Sequence, residues 1–434
     1  MISFRTTKDI KKLLLGVGGA FFLKLASAGG VLFFNIYIAR LLGASDAGYF
    51  FLAQTFVIIF ADISRRGFDN TIVRFIAPYS NSFDSDIKEI YKLAICRVVP
   101  LGVFFSGLIF SLSSSISGIF FDTNEFSDVL SVMSLSILPF SLMMLNSFCF
   151  QGRKKVSLYM IFNSAGIPYL FCFISLFYPP TSSIEASWIF LVSSICAVTI
   201  STIFWVFESG NIGSYFQQME LSGNIRNEIL KSSNALFQVA LLTLVNLWFS
   251  QVVLGYMGTA EEVAIFSSAT RISASVAFVL IAVNSIATPK YAESFKHNDL
   301  DSVRKTVLFS TRVIFITALP FALLLHLFND EVMSLFGEDF ANSGYILSIL
   351  LVGQVINSLT GSVGFLLQMS GNENSFRNKI FLSSGFLVVI GPVVISFYGV
   401  VGAAFITAFT LSIQNIFFFY DVRKKLDINT LRLL

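Results

Sequence analysis

Apolar residues run through this sequence in long blocks, and one arrangement of blocks and turn occurs twice. Residues Leu242 to Arg271 (LTLVNLWFSQVVLGYMGTAEEVAIFSSATR) join two apolar runs through a short turn rich in Gly and Glu. The second run carries an arginine at helical spacing from small residues. Near the N-terminus, Ile36 to Thr55 (IYIARLLGASDAGYFFLAQT) sets an apolar run, a Leu-Gly-Ala turn with an acidic residue, then an aromatic opening of the next run. With one inserted residue allowed, Gly43, Asp46, Tyr49 and Phe50 fall opposite Gly258, Glu262, Ile265 and Phe266, an offset close to half the chain. The pattern is that of a duplication.

A helix crossing a bilayer about 30 Å thick needs about 20 apolar residues. Segments of that kind lie at 13–40, 49–64, 93–120, 129–150, 156–177 and 186–207, then at 235–256, 263–288, 307–328, 344–370, 380–397 and 401–420. Arg5, Lys8, Lys11 and Lys12 followed by LLLGVGGAFFL and Ala26-Ser27-Ala28 have the form of a signal peptide. The apolar run continues beyond that point into the repeated hairpin, so Leu13 to Leu42 reads as the first span. Surface helices fit Asp84 to Lys92 and Glu220 to Lys231. The expected architecture is an all-α integral membrane protein of about twelve spans. Two parallel six-helix lobes, 1–207 and 235–420, are joined by a linker at 208–234 and followed by a tail at 421–434.

Composition agrees with the pattern: 55% of the 434 residues are hydrophobic, 13% are charged and fifty are Phe, where a soluble domain carries about 25% charged residues. Charge then orients the spans. Of the 29 basic residues, all but Lys24, Arg40 and Arg271 lie in the N-terminal tail, 65–97, 153–155, 208–234, 289–312, 371–379 and the tail after Asp421. The alternate loops at 41–48, 121–128, 178–186, 255–262, 329–343 and 398–400 contain none. By the positive-inside rule both termini are cytoplasmic, and a six-span half returns the chain to its starting side. The net charge of +3 is thus a topology signal; basic residues dispersed over seven segments predict no nucleic-acid partner.

Chemistry-bearing residues are few. Cys96, Cys149, Cys172 and Cys196 sit inside apolar runs without ligand spacing, and two histidines are too few for a zinc site or a triad. No metal site, cofactor or catalytic residue is expected, and the short basic-free loops leave no folded platform for an enzyme acting outside the cell. Helical spacing does predict polar stripes. The first span aligns Lys24, Ala28, Val31 and Asn35. The eighth aligns Ala264, Ser267, Ser268 and Arg271, with Ile265, Phe266 and Ile272 facing away; the seventh carries Gln238 and Asn246. A cation near a helix centre costs about 2.5 to 3.5 kcal/mol on insertion scales and marks a substrate path. Lys24 lies roughly 16 Å inside the first span, too deep to reach the surface. Lys24, Arg271, Asn35, Gln238, Asn246, Ser267 and Ser268 are the candidate substrate-binding residues. Arg40 and Arg97 read as interfacial anchors, and Asp62 with Arg65 and Arg66 as surface charge pairs.

Several stretches in their order carry a resemblance. The run NALFQVALLTLVNLWFSQVVLGYMGTAEEVAIFSSATRIS, then TPKYAESFKHNDLDSVRK, LFNDEVMSLFGEDFANSGYILSILLVGQVINSLTG and YGVVGAAFITAF, with IARLLGASDAGYF and GFDNTIVRFIAPY before them, resemble the polysaccharide-transporter branch of the MATE-like flippase superfamily. These Wzx-type proteins move lipid-linked repeat units of O-antigen or capsule. The resemblance implies a V-shaped pair of six-helix lobes that open alternately around a central cationic cavity, in the bacterial inner membrane. Its partners would be a lipid-linked oligosaccharide substrate, membrane lipids and other polysaccharide-assembly proteins. In the related lipid II flippases, cations on the first span and in the hairpin region bind pyrophosphate; Lys24 lies about one turn from the corresponding position. A drug or cation antiporter of the same superfamily and a membrane polymerase or ligase are the alternatives.

Overall fold

The computed structural model describes the backbone of residues 7–77, 85–121, 123–209, 223–297 and 299–430, and side chains from residue 26 onward save for scattered positions. The elements are helices throughout: α1 (Thr7–Arg65), α2 (Phe68–Ile76), α3 (Ser85–Phe120), α4 (Asn124–Ser134), α5 (Ile137–Gly152), α6 (Val156–Met160), α7 (Gly166–Ser175), α8 (Ser183–Ser209), α9 (Gly223–Met257), α10 (Ala260–Ala274), α11 (Ala277–Lys296), α12 (Leu300–Leu327), α13 (Asn329–Ser334), α14 (Gly344–Thr360), α15 (Val363–Met369) and α16 (Glu373–Leu426). Among the described residues eight helices are long and apolar enough to cross a membrane, nine if the bent pair α4 and α5 counts as one broken span. The chain is an all-α, multi-pass membrane protein.

The apolar blocks do not map one to one onto helices. The first two share α1, interrupted only at Gly43 (φ 73°), and the last two share α16, interrupted only at Gly399 (φ 52°). Both residues occupy the left-handed region, which glycine enters without the Cβ penalty, so a single residue serves as the turn. Other expected spans are broken inside. The 129–150 block divides between α4 and α5, 156–177 contains a π-helical turn at Ile161–Ala165, 263–288 divides between α10 and α11, and 344–370 between α14 and α15. Residues 85–92 begin α3, so the surface helix expected there is part of a long helix, and α9 likewise continues unbroken from Gly223.

Contacts divide the chain into two compact units. The first comprises Met1–Tyr37, Ala53–Gly118 and Thr123–Ala240, the second Ile38–Leu52, Ile119–Asp122 and Leu241–Leu434. In the first unit a short amphipathic helix, α2, follows Gly67 (φ 75°) and buries Phe68, Thr71, Ile72 and Ile76 while exposing Asn70 and Arg74. It lies on α5, where a Cβ on Gly152 would come within 2.9 Å of Ile76. Across this corner Arg65 holds Asp69 (Nε to Oδ1, 2.8 Å) and Asp62. The expected surface charge pair is therefore a bridge around a buried guanidinium, only 3% exposed. The reason is the corner itself: turning the chain at Gly67 brings Asp69 back onto Arg65 and encloses it. Deeper in the unit Asn146 accepts from Tyr91 (2.7 Å) and donates to Ser201 (3.0 Å) and Thr202 (3.1 Å), beside the buried Trp205. This satisfies an amide that apolar surroundings would otherwise penalise.

The second unit is built around Tyr291, Val303, Val307, Val363, Leu366 and Phe418, contributed by α11, α12, α15 and α16. Each unit carries ion pairs near the end of a long helix. Glu208, at the end of α8, pairs with Lys155 (3.1 Å) and Arg153 (3.8 Å) in the short connection after α5. Asp421, near the end of α16, pairs with Lys379 (3.7 Å) and accepts from Ser375.

Candidate functional site

Asp339, Gln251 and Arg271 of the second unit meet residues 38–52, the turn that joins the two runs of α1. Gly43 lets the chain reverse, and the new helical run begins at Ala44 with unsatisfied backbone N–H groups. A carboxylate from elsewhere meets them: Ala44 N–H donates to Asp339 Oδ2 at 3.1 Å. The second single-residue turn is treated alike, with Val400 N–H donating to Glu262 Oε1 at 3.3 Å. Glu262 also completes a capping box with Thr259 at the start of α10. A carboxylate at a helix N-terminus contributes about 0.3 to 1 kcal/mol, up to about 2 in partly buried settings. Asp339 and Glu262, each in a basic-free loop, thus serve as caps supplied from a distance.

The two repeated hairpins touch. Gly48 lies against the start of α10 so closely that a Cβ there would sit 1.9 Å from the Ala260 carbonyl oxygen. One turn along, Gln251 Nε2 donates to the Phe51 carbonyl at 3.2 Å. The Arg271 guanidinium carbon stands 4.0 Å from the centroid of the Phe51 ring. A cation over an aromatic face, away from water, is stabilised by about 2 kcal/mol.

The candidate residues distribute between the units. Lys24 lies on α1, but its side chain is outside the described residues. Asn35, in the first unit, is 2% exposed. It donates to the Val31 carbonyl at 2.7 Å, while its Oδ1 has no hydrogen-bond partner among the described residues. Gln238, also in the first unit, is exposed. In the second unit Asn246 donates to Gln414 at 3.3 Å, and Gln414 accepts from Ser383 at 3.0 Å. Ser267 and Ser268 are buried, and their hydroxyls lack hydrogen-bond partners among the described residues. Arg271 follows Ser267 by one helical turn on α10. Phe266 and Ile272, expected to face away, are as buried as the serines. Thus α10 is enclosed on nearly every side. Arg40 and Arg97 are exposed.

Sequence reasoning did not find Phe51, Gln251, Asp339 or Gln414 at this site. Phe51 reads as one more phenylalanine in an apolar run; Asp339 reads as a loop acid. Their positions beside Arg271 and Ala44 depend on folding distant parts of the chain together. The signal for Gln251 and Gln414 was their amide chemistry inside apolar runs.

A family model described as polysaccharide biosynthesis protein matches residues 16–294, and one described as MatE matches residues 234–393. Two proteins of Haloferax volcanii are similar in sequence. The probable low-salt glycan biosynthesis flippase Agl15 is 21% identical over 205 residues, 45% of this chain and 43% of that one. The probable flippase AglR is 22% identical over 174 residues, 39% and 36% of the two chains. The chain therefore aligns with less than half the length of either relative. In structure it resembles an inward-facing multidrug resistance MATE family transporter of the MOP superfamily (TM-score 0.74, 15% identity, 94% of this chain and 98% of that one). It also resembles the lipid II flippase MurJ in an inward closed conformation (TM-score 0.74, 15% identity, 93% and 87%). A MOP superfamily transporter from Pyrococcus furiosus follows the same fold (TM-score 0.68, 14% identity, 96% and 96%). At such identities these likenesses speak to the fold alone.

Proposed function

Because the chain belongs to the polysaccharide biosynthesis protein family, we propose that it is a flippase, a transporter rather than an enzyme, that carries lipid-linked oligosaccharide repeat units across a membrane by alternating access. The finer reading is an undecaprenyl-pyrophosphate-linked unit of O-antigen or capsule, moved from the cytoplasmic to the periplasmic leaflet of a bacterial inner membrane. Twelve spans in two duplicated halves, 1–207 and 235–420, with both termini cytoplasmic, complete that reading. The observation that carries it is the Arg271 guanidinium within α10, one turn from the buried hydroxyls of Ser267 and Ser268. The relatives described as flippases add support.

The physical problem is a headgroup that hydrocarbon rejects. Two phosphates and a glycan need charge and hydrogen bonds along the way, whereas the prenyl tail stays in lipid. Arg271 and Lys24 supply the charge for pyrophosphate, and Asn35, Gln238, Asn246, Ser267 and Ser268 supply hydrogen bonds to sugar hydroxyls. The sequence holds no GxxxxGK[ST] loop, so net flux is driven by an ion gradient or by consumption of the product. In a strain lacking the protein, repeat units are made but remain in the inner leaflet, and long surface glycan disappears. Surface polymer of normal length, in a strain without any related flippase, would overturn the proposal. The match to the MatE model over 234–393 favours a second reading, a drug or cation antiporter; efflux of a cationic dye restored by the protein with glycan unchanged would select it.

A further inference from the structure

We propose that Phe51 is a positioning residue for Arg271, and that through it phosphate binding is tied to the docking of residues 38–52 on the second unit. The inference rests on the reading of Arg271 as a pyrophosphate ligand. Its basis is the geometry of the guanidinium. The guanidinium carbon stands 4.0 Å from the ring centroid, over the face of the ring. A guanidinium against an aromatic face keeps its N–H donors in its own plane, the fork whose geometry matches a pair of phosphate oxygens. A guanidinium held on one side by a ring that is fully buried loses less freedom when an anion arrives.

Phe51 is not a neighbour of Arg271 in the chain. It belongs to the 38–52 segment, whose attachment to the unit consists of distinct contacts: Gly48 against Ala260, Ala44 N–H on Asp339, and the Phe51 carbonyl on Gln251. Undocking this segment removes the ring from Arg271. The oriented, high-affinity form of the arginine therefore exists only while the segment is docked. By linkage, an anion that prefers the docked form also strengthens docking, by the same factor. Release of the headgroup follows when the segment leaves. The ligand class is a pyrophosphate or phosphate ester, from a lipid headgroup or free in solution.

The test uses the full chain in nanodiscs, with the four native cysteines replaced by serine. Spin labels go on Ser45→Cys and Glu338→Cys, both exposed and flanking the Ala44–Asp339 contact. Inorganic pyrophosphate and undecaprenyl pyrophosphate are the probes, and affinity and the label distance distribution are measured together. Binding of either probe should narrow the distribution to its short component. Phe51→Leu should weaken binding about tenfold and abolish the narrowing, with Phe51→Tyr restoring both; Phe51→Met replaces Phe51→Leu if the latter does not fold. A response to the lipid probe alone identifies the headgroup as the source and supports the coupling. Unchanged affinity in Phe51→Leu, or a distribution that binding does not move, overturns the coupling and leaves Arg271 as a ligand. Absence of binding by the wild type, or binding that Arg271→Gln leaves intact, overturns the phosphate reading itself.

Discussion

A cation inside an apolar helix is retained against an insertion cost of about 2.5 to 3.5 kcal/mol, and its substitutions separate binding from folding. Lys24→Arg should keep much of glycan export, while Lys24→Ala and Arg271→Ala should lose most of it at unchanged membrane abundance, measured by immunoblot beside surface glycan. Normal export by the Lys24→Ala, Arg271→Ala double variant would remove both residues from the pathway. Arg65 behaves differently. It holds Asp62 and Asp69 across the Gly67 corner, buried, so Arg65→Ala leaves two carboxylates without their counter-charge. The carboxylates left behind are partly exposed, 30% and 23%, so the loss is about 1 to 3 kcal/mol, which should appear as a fall in folded protein and a lowered thermal midpoint in detergent. An unchanged midpoint would mean the corner holds without the bridge. What the sequence conveyed at this scale was residue type and depth: Arg271 stands out because charge is rare in its surroundings. Burial of Arg65 was not legible, because Asp62 and Arg66 beside it suggest a solvated interface and nothing local reveals the turn at Gly67.

Helices here are organised by breaks that hydropathy does not register. An apolar run remains apolar through Leu135–Ser136, through the π turn at Ile161–Ala165 and through Gly361, so the blocks were legible and their interruptions were not. The turn between the first two apolar runs was legible as a pattern of Gly, acid and aromatic residues. Its construction was not, since Gly43 acts as a one-residue turn whose following helix takes its cap from Asp339, far away in the chain; Gly399, outside that pattern, does the same with Glu262. Gly43→Ala forces an L side chain into φ 73°, ψ 175°, a region kept almost wholly for glycine, at about 1 to 3 kcal/mol. Its thermal midpoint should fall accordingly, and one equal to wild type would mean the turn relaxes without strain. Gly48→Leu meets the Ala260 carbonyl, a backbone atom that cannot swing aside. This variant should reach the membrane yet lose the short component of the Ser45–Glu338 distance distribution; retention of that component would show that α10 yields instead.

For the molecule as a whole, the distribution of Lys and Arg carries the topology. Reporter fusions after Glu125, Glu185 and Glu338 should report the periplasm, and fusions after Lys154, Gln218 and Asn372 the cytoplasm; two or more inverted sites would sink the arrangement of two parallel halves. Membrane class was legible because it is written in long apolar blocks and sparse charge. The assignment of residues 38–52 to the unit that also contains Leu241–Leu434 was not, since it arises from packing between the hairpins. The account stands most directly on transport by the isolated protein. Purified chain is reconstituted into liposomes with a fluorescent undecaprenyl-pyrophosphate-linked oligosaccharide, and a membrane-impermeant lectin reports the fraction of headgroups exposed. The account predicts that protein accelerates equilibration between leaflets, that Arg271→Ala reconstituted to the same density does not, and that no longer glycan forms. Equilibration no faster than in protein-free liposomes, with the same protein folded and responsive to cationic drugs, would contradict it.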